Sequence, residues 1–170
     1  MKFENPQESK IFYCILKSPV GNILIAGNDS GLKVINFQDG PKAQAPHPKW
    51  KKDRQFFRTT IQQLNAYFSG GLRQFRLLLA PEGTPFQKKV WNTLRKIPYG
   101  KTVSYGEIAR RLGNPKASRA VGAANAQNPL SIIVPCHRVI GQTGHLVGYG
   151  GGLPIKESLL AHERRQVHSS

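Results

Sequence analysis

Ser104-Tyr-Gly-Glu-Ile-Ala-Arg-Arg-Leu-Gly-Asn-Pro-Lys-Ala-Ser-Arg-Ala-Val-Gly-Ala-Ala-Asn125 is the stretch on which the fold turns. Ser104 and Glu107 have capping-box spacing, so a short helix is expected through Ile108 and Leu112. Gly113 closes it, and Asn114-Pro115 opens another helix from Lys116 to about Asn125. Two short helices across a tight Gly-Asn-Pro turn have the form of a helix-turn-helix. An ordinary αα-hairpin shows the same local signals. Charge tips the reading: 25 Lys+Arg against 9 Asp+Glu give a formal +16 and a pI near 10.3. That excess lies beyond the ~2–8 charges that solubility asks of a small domain. It points to a polyanionic partner, with nucleic acid the commonest.

The second helix of the pair is mostly Ala and Gly, with one long cation, Arg119, in its middle. Small residues let a backbone approach a duplex closely but make few bidentate contacts with base edges. Such a helix suits a protein that scans any sequence for a lesion, with Arg119 as a wedge rather than a base reader.

Working outward, Thr84-Pro85-Phe86-Gln87 joins an N-cap threonine, proline at the first helical position and glutamine at the third. Phe86, Val90, Trp91 and Leu94 then line one face of a helix. Ala80-Pro-Glu-Gly83 has the character of a linker. Before it, Ile11–Lys17, Asn22–Ala26 and Leu32–Phe37 are β-branched and aromatic runs separated by turn residues, and they read as strands. Pro41–Pro48 is a loop, and Phe57, Ile61, Leu64 and Phe68 mark a helix that Gly70-Gly71 stops. Phe75–Leu79 is expected to be one more strand. The expected fold is α+β: a small N-terminal α/β domain over 1–80, and a mainly helical domain with a helix-turn-helix over 84–166. Hydrophobic residues at 39% are enough for a packed core. The polar start Met1–Pro6 lacks a signal-peptide pattern, and no apolar run reaches the ~18 residues of a membrane span. A soluble, cytoplasmic protein without a disulfide framework is expected, since only Cys14 and Cys136 are present.

The densest chemical signal lies downstream, in Ser131-Ile-Ile-Val-Pro-Cys-His-Arg-Val-Ile140. The apolar run reads as a buried strand that ends at Pro135 and presents the thiol of Cys136. A thiolate is the nucleophile, and a free cysteine with pKa ~8.5 needs a base or a positive charge beside it. His137 and Arg138 are at hand. On an extended strand, neighbours point to opposite faces, so Cys136 and His137 meet only if the chain turns here or a water bridges them. A base also needs its other ring nitrogen held, and Glu163 in the last helix is a candidate. A lone cysteine after a strand is otherwise an inert core residue, as Cys14 is read.

Pro135-Cys136-His137-Arg138-Val139, with Asn128-Pro129 before it and Gly148-Tyr149-Gly-Gly-Gly152 after it, resembles the O6-alkylguanine-DNA alkyltransferases. Thr84-Pro-Phe-Gln, Val90-Trp91, Ser104–Ala109, Arg119–Ala124 and Leu159–Glu163 follow the same family in order, over residues 84–163. The N-terminal half is similar only in length and coarse element order; the resemblance implies a ribonuclease H-like domain there. The resemblance implies that Cys136 takes the alkyl group of O6-alkylguanine, or of O4-alkylthymine, irreversibly. His137 would be its base through a water, oriented by Glu163. Tyr105 would rotate the phosphate and hydrogen-bond the guanine. Asn128 would brace the turn before the active-site segment, Val139 would read the guanine edge, and Tyr149, Gly150 and Gly151 would wall the pocket. Arg119, Ala120, Ala126 and Gly106 would meet DNA in the minor groove, Arg119 filling the gap left by the flipped nucleotide.

The implied partner is double-stranded DNA containing alkylated guanine, and a monomer without cofactor is expected. The N-terminal zinc cluster of some relatives needs several Cys and His; only Cys14 and His47 are available, so no metal is expected. Small residues at Ser131 and Gly151 suggest room for adducts larger than methyl. His145 and His162 are read as structural. Two rivals share parts of the pattern. A lesion-recognising DNA-binding protein without chemistry would lack the acceptor cysteine. A Cys-His hydrolase would turn over and would not need so basic a surface.

Overall fold

Three runs of β-branched and aromatic residues form β1 (Phe12–Ser18), β2 (Gly21–Asn28) and β3 (Gly31–Phe37) in a computed structural model that describes residues 9–169. The expectation about Met1–Pro6 concerns residues outside that range. β1 and β2 pair antiparallel, as do β2 and β3, so the turn residues at 19–20 and 29–30 make two successive hairpins. A two-residue β4 (Lys51–Lys52) adds in parallel to β1, giving the order β3-β2-β1-β4. Cys14, Leu16, Ile23, Ile25 and Ile35 pass from this sheet into the core. A single 3-10 turn (Gln55–Phe57) leads into α1 (Arg58–Phe68), whose Ile61, Leu64 and Tyr67 join them. Phe68 stays partly buried, and Tyr67 rather than Phe68 holds the last inward position of the stripe.

The expected strand at Phe75–Leu79 does not form; only Leu79 bridges to Leu32. The cause is competition for one edge. β3 is the outer strand, and its Ile35 end is taken by the second half of the chain: Ile35 N–H donates to Pro129 C=O and Ser131 N–H to Ile35 C=O. Segment 78–80 is left with Leu32 alone.

α2 (Pro85–Leu94) opens on the full capping box. Thr84 Oγ1 accepts from Gln87 N–H at 3.1 Å, and Gln87 Oε1 accepts from Thr84 N–H at 2.9 Å. Val90, Trp91 and Leu94 are buried, whereas Phe86 is 37% exposed and falls outside the inward stripe. Trp91 Nε1 donates to Ala124 C=O at 2.9 Å, which ties α2 to the helix pair beyond it.

β5 (Val103–Ser104) leads directly into α3 (Tyr105–Arg111). Ser104 Oγ accepts from Glu107 N–H at 3.1 Å, but the reciprocal half of that box is absent. The Glu107 carboxylate instead accepts from Arg110 and Arg111 on its own helix. Gly113, at φ 77°, ends α3. Asn114 N–H reaches back to Ala109 C=O and Gly113 N–H to Arg110 C=O, the bond pair of a Schellman stop. α4 (Ser118–Ala126) starts two residues later than expected, because Pro115 and Lys116 are still in the turn. Beyond it, β6 (Val139–Ile140) pairs in parallel with β5, and α5 (Leu153–His168) closes the chain. The Leu159–Glu163 motif therefore lies in the middle of the last helix. Among the described residues no helix is long and apolar enough to cross a membrane.

Candidate active site

The segment between α4 and β6 is a sequence of tight turns where a strand was expected. Val134 N–H donates to Leu130 C=O, Cys136 N–H to Val134 C=O and Arg138 N–H to Pro135 C=O. Ile132 sits at φ 72°, a left-handed conformation that costs a β-branched residue about 1–2 kcal/mol. Asn128 holds the turn across its mouth. Its Oδ1 accepts from Leu130 N–H at 3.0 Å and its Nδ2 donates to Val134 C=O at 2.9 Å. Cys136–Arg138 then form one 3-10 turn. The chain thus turns here, and the geometric objection to placing the thiol and imidazole together no longer applies.

Cys136 is buried, at 4% exposure. Burial pushes its thiol up, while Asn128, the Lys156 charge and Tyr149 each pull it down. Lys156 is fully buried, and its Nζ donates to Val139 C=O at 2.7 Å and Val147 C=O at 3.2 Å. Burial pulls its ammonium pKa down and the Cys136 charge opposes that, so the two groups favour each other's charged forms, and the side chain ties the 147–148 loop to β6. Tyr105, the first residue of α3, donates its hydroxyl to Val147 C=O at 3.3 Å. Burial, and then the Cys136 charge, push that phenol up, so it holds its proton.

Behind the thiol lies a buried carboxylate. His137 Nε2 meets Glu163 Oε1 at 2.7 Å, both side chains fully buried. With Nε2–H donating to the carboxylate, Nδ1 is the bare acceptor, and it has no hydrogen-bond partner among the described residues. Burial pushes the Glu163 carboxyl up, but the bonds from His137 and Arg138 outweigh it and hold it well below the carboxylate range. Arg138 donates from Nε to Oε2 and from Nη2 to Oε1, each at 2.9 Å. Tyr67 OH donates to Oε1 at 2.9 Å and Gly100 N–H to Oε2 at 3.2 Å. Because Arg138 already balances Glu163, burial dominates at His137 and keeps the imidazole neutral.

Cys136, His137, Glu163, Tyr105, Asn128 and Val139 therefore lie together around the thiol and the buried carboxylate. Tyr149 also joins them, its hydroxyl buried and its ring 5.8 Å from Phe37. Gly150 C=O accepts from Lys42 N–H. Gly151 lies elsewhere than expected: a Cβ there would meet the Phe37 ring at 2.6 Å, so its small size serves packing on β3 rather than adduct room. Arg119, Ala120, Ala123 and Ala126 form one exposed stripe of α4. Gly106 faces the start of α4, near Ser118, and Gly122 lies under the Tyr105 ring. His162 packs on Tyr67, with Nε2 2.8 Å from its carbonyl oxygen. His145 is exposed and contributes its carbonyl to Gly141. Burial pushes the Cys14 thiol up to about 11.

Four contributors escaped the sequence reading: Tyr67, Lys42, Lys156, and Arg138 as the partner of Glu163. Lys156 could have been found, since Lys156, Leu159, Leu160 and Glu163 share one helical stripe. Tyr67 and Lys42 come from the other half of the chain, and nothing local to them marks the contact.

Residues 85–165 match the 6-O-methylguanine DNA methyltransferase, DNA binding domain, and residues 11–81 match the ribonuclease-like domain of the same methyltransferases. The chain belongs to this family. The methylated-DNA–protein-cysteine methyltransferase of Methanosarcina acetivorans is 57% identical over 90% of this chain and 98% of its own. That of Mycolicibacterium paratuberculosis is 46% identical over 94% and 96%. Among solved structures, the Mycobacterium tuberculosis OGT in complex with DNA superposes with a TM-score of 0.85. It is 46% identical, over 91% of this chain and 94% of that one. In this family setting the α+β architecture is a ribonuclease-like half joined to a DNA-binding half.

Proposed function

We propose that this chain repairs DNA directly, moving the alkyl group of O6-alkylguanine onto Cys136 in one irreversible event. The observation that carries the reading is the buried Cys136–His137–Glu163 arrangement with a bare Nδ1. The names and DNA complex of the relatives support it. So does the exposed Ala-rich stripe of α4 on a chain of formal charge +16.

In the proposed reaction the thiol proton passes through a water to His137 Nδ1. The imidazolium that forms is stabilised by Glu163, and the thiolate by Lys156, Asn128 and Tyr149. The sulfur bonds to the alkyl carbon as the carbon–O6 bond breaks, and the electron pair goes to the purine. Tyr105, having exchanged its bond to Val147 for one to the base, gives its proton to the leaving guanine and recovers one from the His137 imidazolium through water, so that phenol and imidazole both end neutral. A lesion base reaches the thiol only when flipped from the duplex, which costs a few kcal/mol and least for a damaged base. Arg119 fills the gap it leaves, and Ala120, Ala126 and Gly106 lie against the backbone. The thioether has no leaving group, so each molecule reacts once. We assign 1–80 and 84–166 as the two domains, and the cytoplasm as the place of action.

Intact-mass analysis after incubation with DNA containing O6-methylguanine tests this. One methyl group should appear on the Cys136 peptide, in amount equal to the protein. Cys136→Ala should abolish transfer and keep DNA binding. Methylguanine consumed in large excess over protein would rule the reading out.

A further inference from the structure

A groove of about 950 Å³ runs between segment 73–79 and the end of α2 with the loop after it. Phe75, Leu77, Leu79, Ile97 and Pro98 give it apolar walls. Its charged lining is wholly cationic: Arg73, Arg95, Lys96 and Arg138, with no carboxylate. Arg138 is bound to Glu163, but Arg95 and Lys96 are exposed and take part in no ion pair among the described residues.

The backbone along one wall has an alternating pattern. Arg76 N–H donates to Gln63 Oε1 at 2.9 Å, and its carbonyl accepts from Gln63 Nε2 at 3.0 Å. Leu78 C=O accepts from Leu32 N–H, and Ala80 N–H donates to Leu32 C=O. The even residues face inward. Leu77 and Leu79, whose side chains line the groove, have no backbone hydrogen bond among the described residues. In an extended chain the backbone groups of alternate residues point to opposite edges, so this wall presents an unpaired strand edge.

We propose that the groove binds an extended acidic peptide, which adds as a strand along Leu77–Leu79. Its apolar side chains would lie against the aliphatic wall and its carboxylates against Arg95 and Lys96. Strand addition takes affinity from main-chain bonds and specificity from alternate side chains. A nucleic acid strand fits less well. Such a strand needs open aromatic faces to stack on, and Tyr99 already has Arg73 and Arg138 over its ring at 5.4 and 5.5 Å.

The test is fluorescence anisotropy with a labelled peptide of alternating Asp and Leu, about ten residues long. Saturable binding is expected, with loss when Lys replaces Asp in the peptide. The double variant Arg95→Glu/Lys96→Glu should weaken binding at least about tenfold with an unchanged circular dichroism spectrum. Hydrogen exchange should show the Leu77 and Leu79 amides protected by the peptide. Absence of binding, or binding without protection at those amides, would overturn the proposal. So would an oligothymidine of equal charge that binds more tightly and is equally sensitive to the double variant.

Discussion

Glu163 is the residue on which the buried chemistry converges. His137, Arg138, Tyr67 and Gly100 all donate to its two oxygens. Replacing it with glutamine keeps the shape and removes the charge, leaving the Arg138 guanidinium buried without a counter-ion. Breaking such a pair costs about 3–5 kcal/mol, and a base with no orienting carboxylate loses about 10²-fold in proton transfer. Glu163→Gln is thus expected to lower both the urea midpoint and the single-turnover rate; an unchanged midpoint would mean that Arg138 finds water. His137 supplies a second prediction. Burial holds its pKa below the ordinary 6.5, so it is neutral, and able to accept a proton, throughout the neutral range. Transfer should be flat around neutrality and fall on the acid side, below 6.5, as the imidazole gains its proton. Single-turnover rates across that interval decide it, and a rate that never falls removes His137 from the role of base.

The turn from Asn128 to Pro135 is the element that makes the site. Asn128→Ala would strand Leu130 N–H, at about 1–3 kcal/mol for the buried donor, and would leave Val134 C=O with Cys136 N–H alone. It would also withdraw one of the groups that lower the thiol pKa. Loss of stability in urea together with slower alkylation at neutral pH is expected, and slower alkylation at unchanged stability would contradict the bracing role. This same element shows where the sequence stops being legible. The Thr84 box, the strands of the first hairpins and the Gly113 stop are local, and were read correctly. Ser131–Val134 was read as a strand because a β-branched run carries no sign of direction. What bends it is one remote contact and one local clamp: Leu130 bridges to Ile35 on β3, Asn128 closes the mouth, and Ile132 is left-handed between them. Glu163 was legible only as a candidate acceptor in the last helix, its link to His137 coming from the family resemblance, whereas Lys156 lies on the same helical stripe. Glu107 showed the opposite failure, a box signal drawn away by arginines on the next turn.

Across the whole molecule, the ribonuclease-like half completes the site through Tyr67 on Glu163, Phe37 under Tyr149 and Gly151, and Lys42 on Ala126 and Gly150. The protonation of two buried groups therefore bears on the cohesion of both halves. The folded pKa of Glu163 is depressed, and so is that of His137. Each binds its proton at higher pH in the unfolded chain than in the folded one, so stability rises with pH across both windows. It is complete above the ordinary histidine value of 6.5 and is lost as pH falls from there toward the folded value of His137. A second loss begins below about 4.3, where an unfolded glutamate takes its proton and the folded Glu163 does not. Within each window the slope approaches about 1.4 kcal/mol per pH unit for each group, and the excess of positive charge on the chain adds self-repulsion in the same direction. Urea midpoints measured from neutral to acid pH should fall in two stages, and Glu163→Gln should remove the lower one. A midpoint flat from about pH 7 to about pH 5 would mean that His137 keeps its full proton affinity on folding, with Glu163 offsetting what burial takes away.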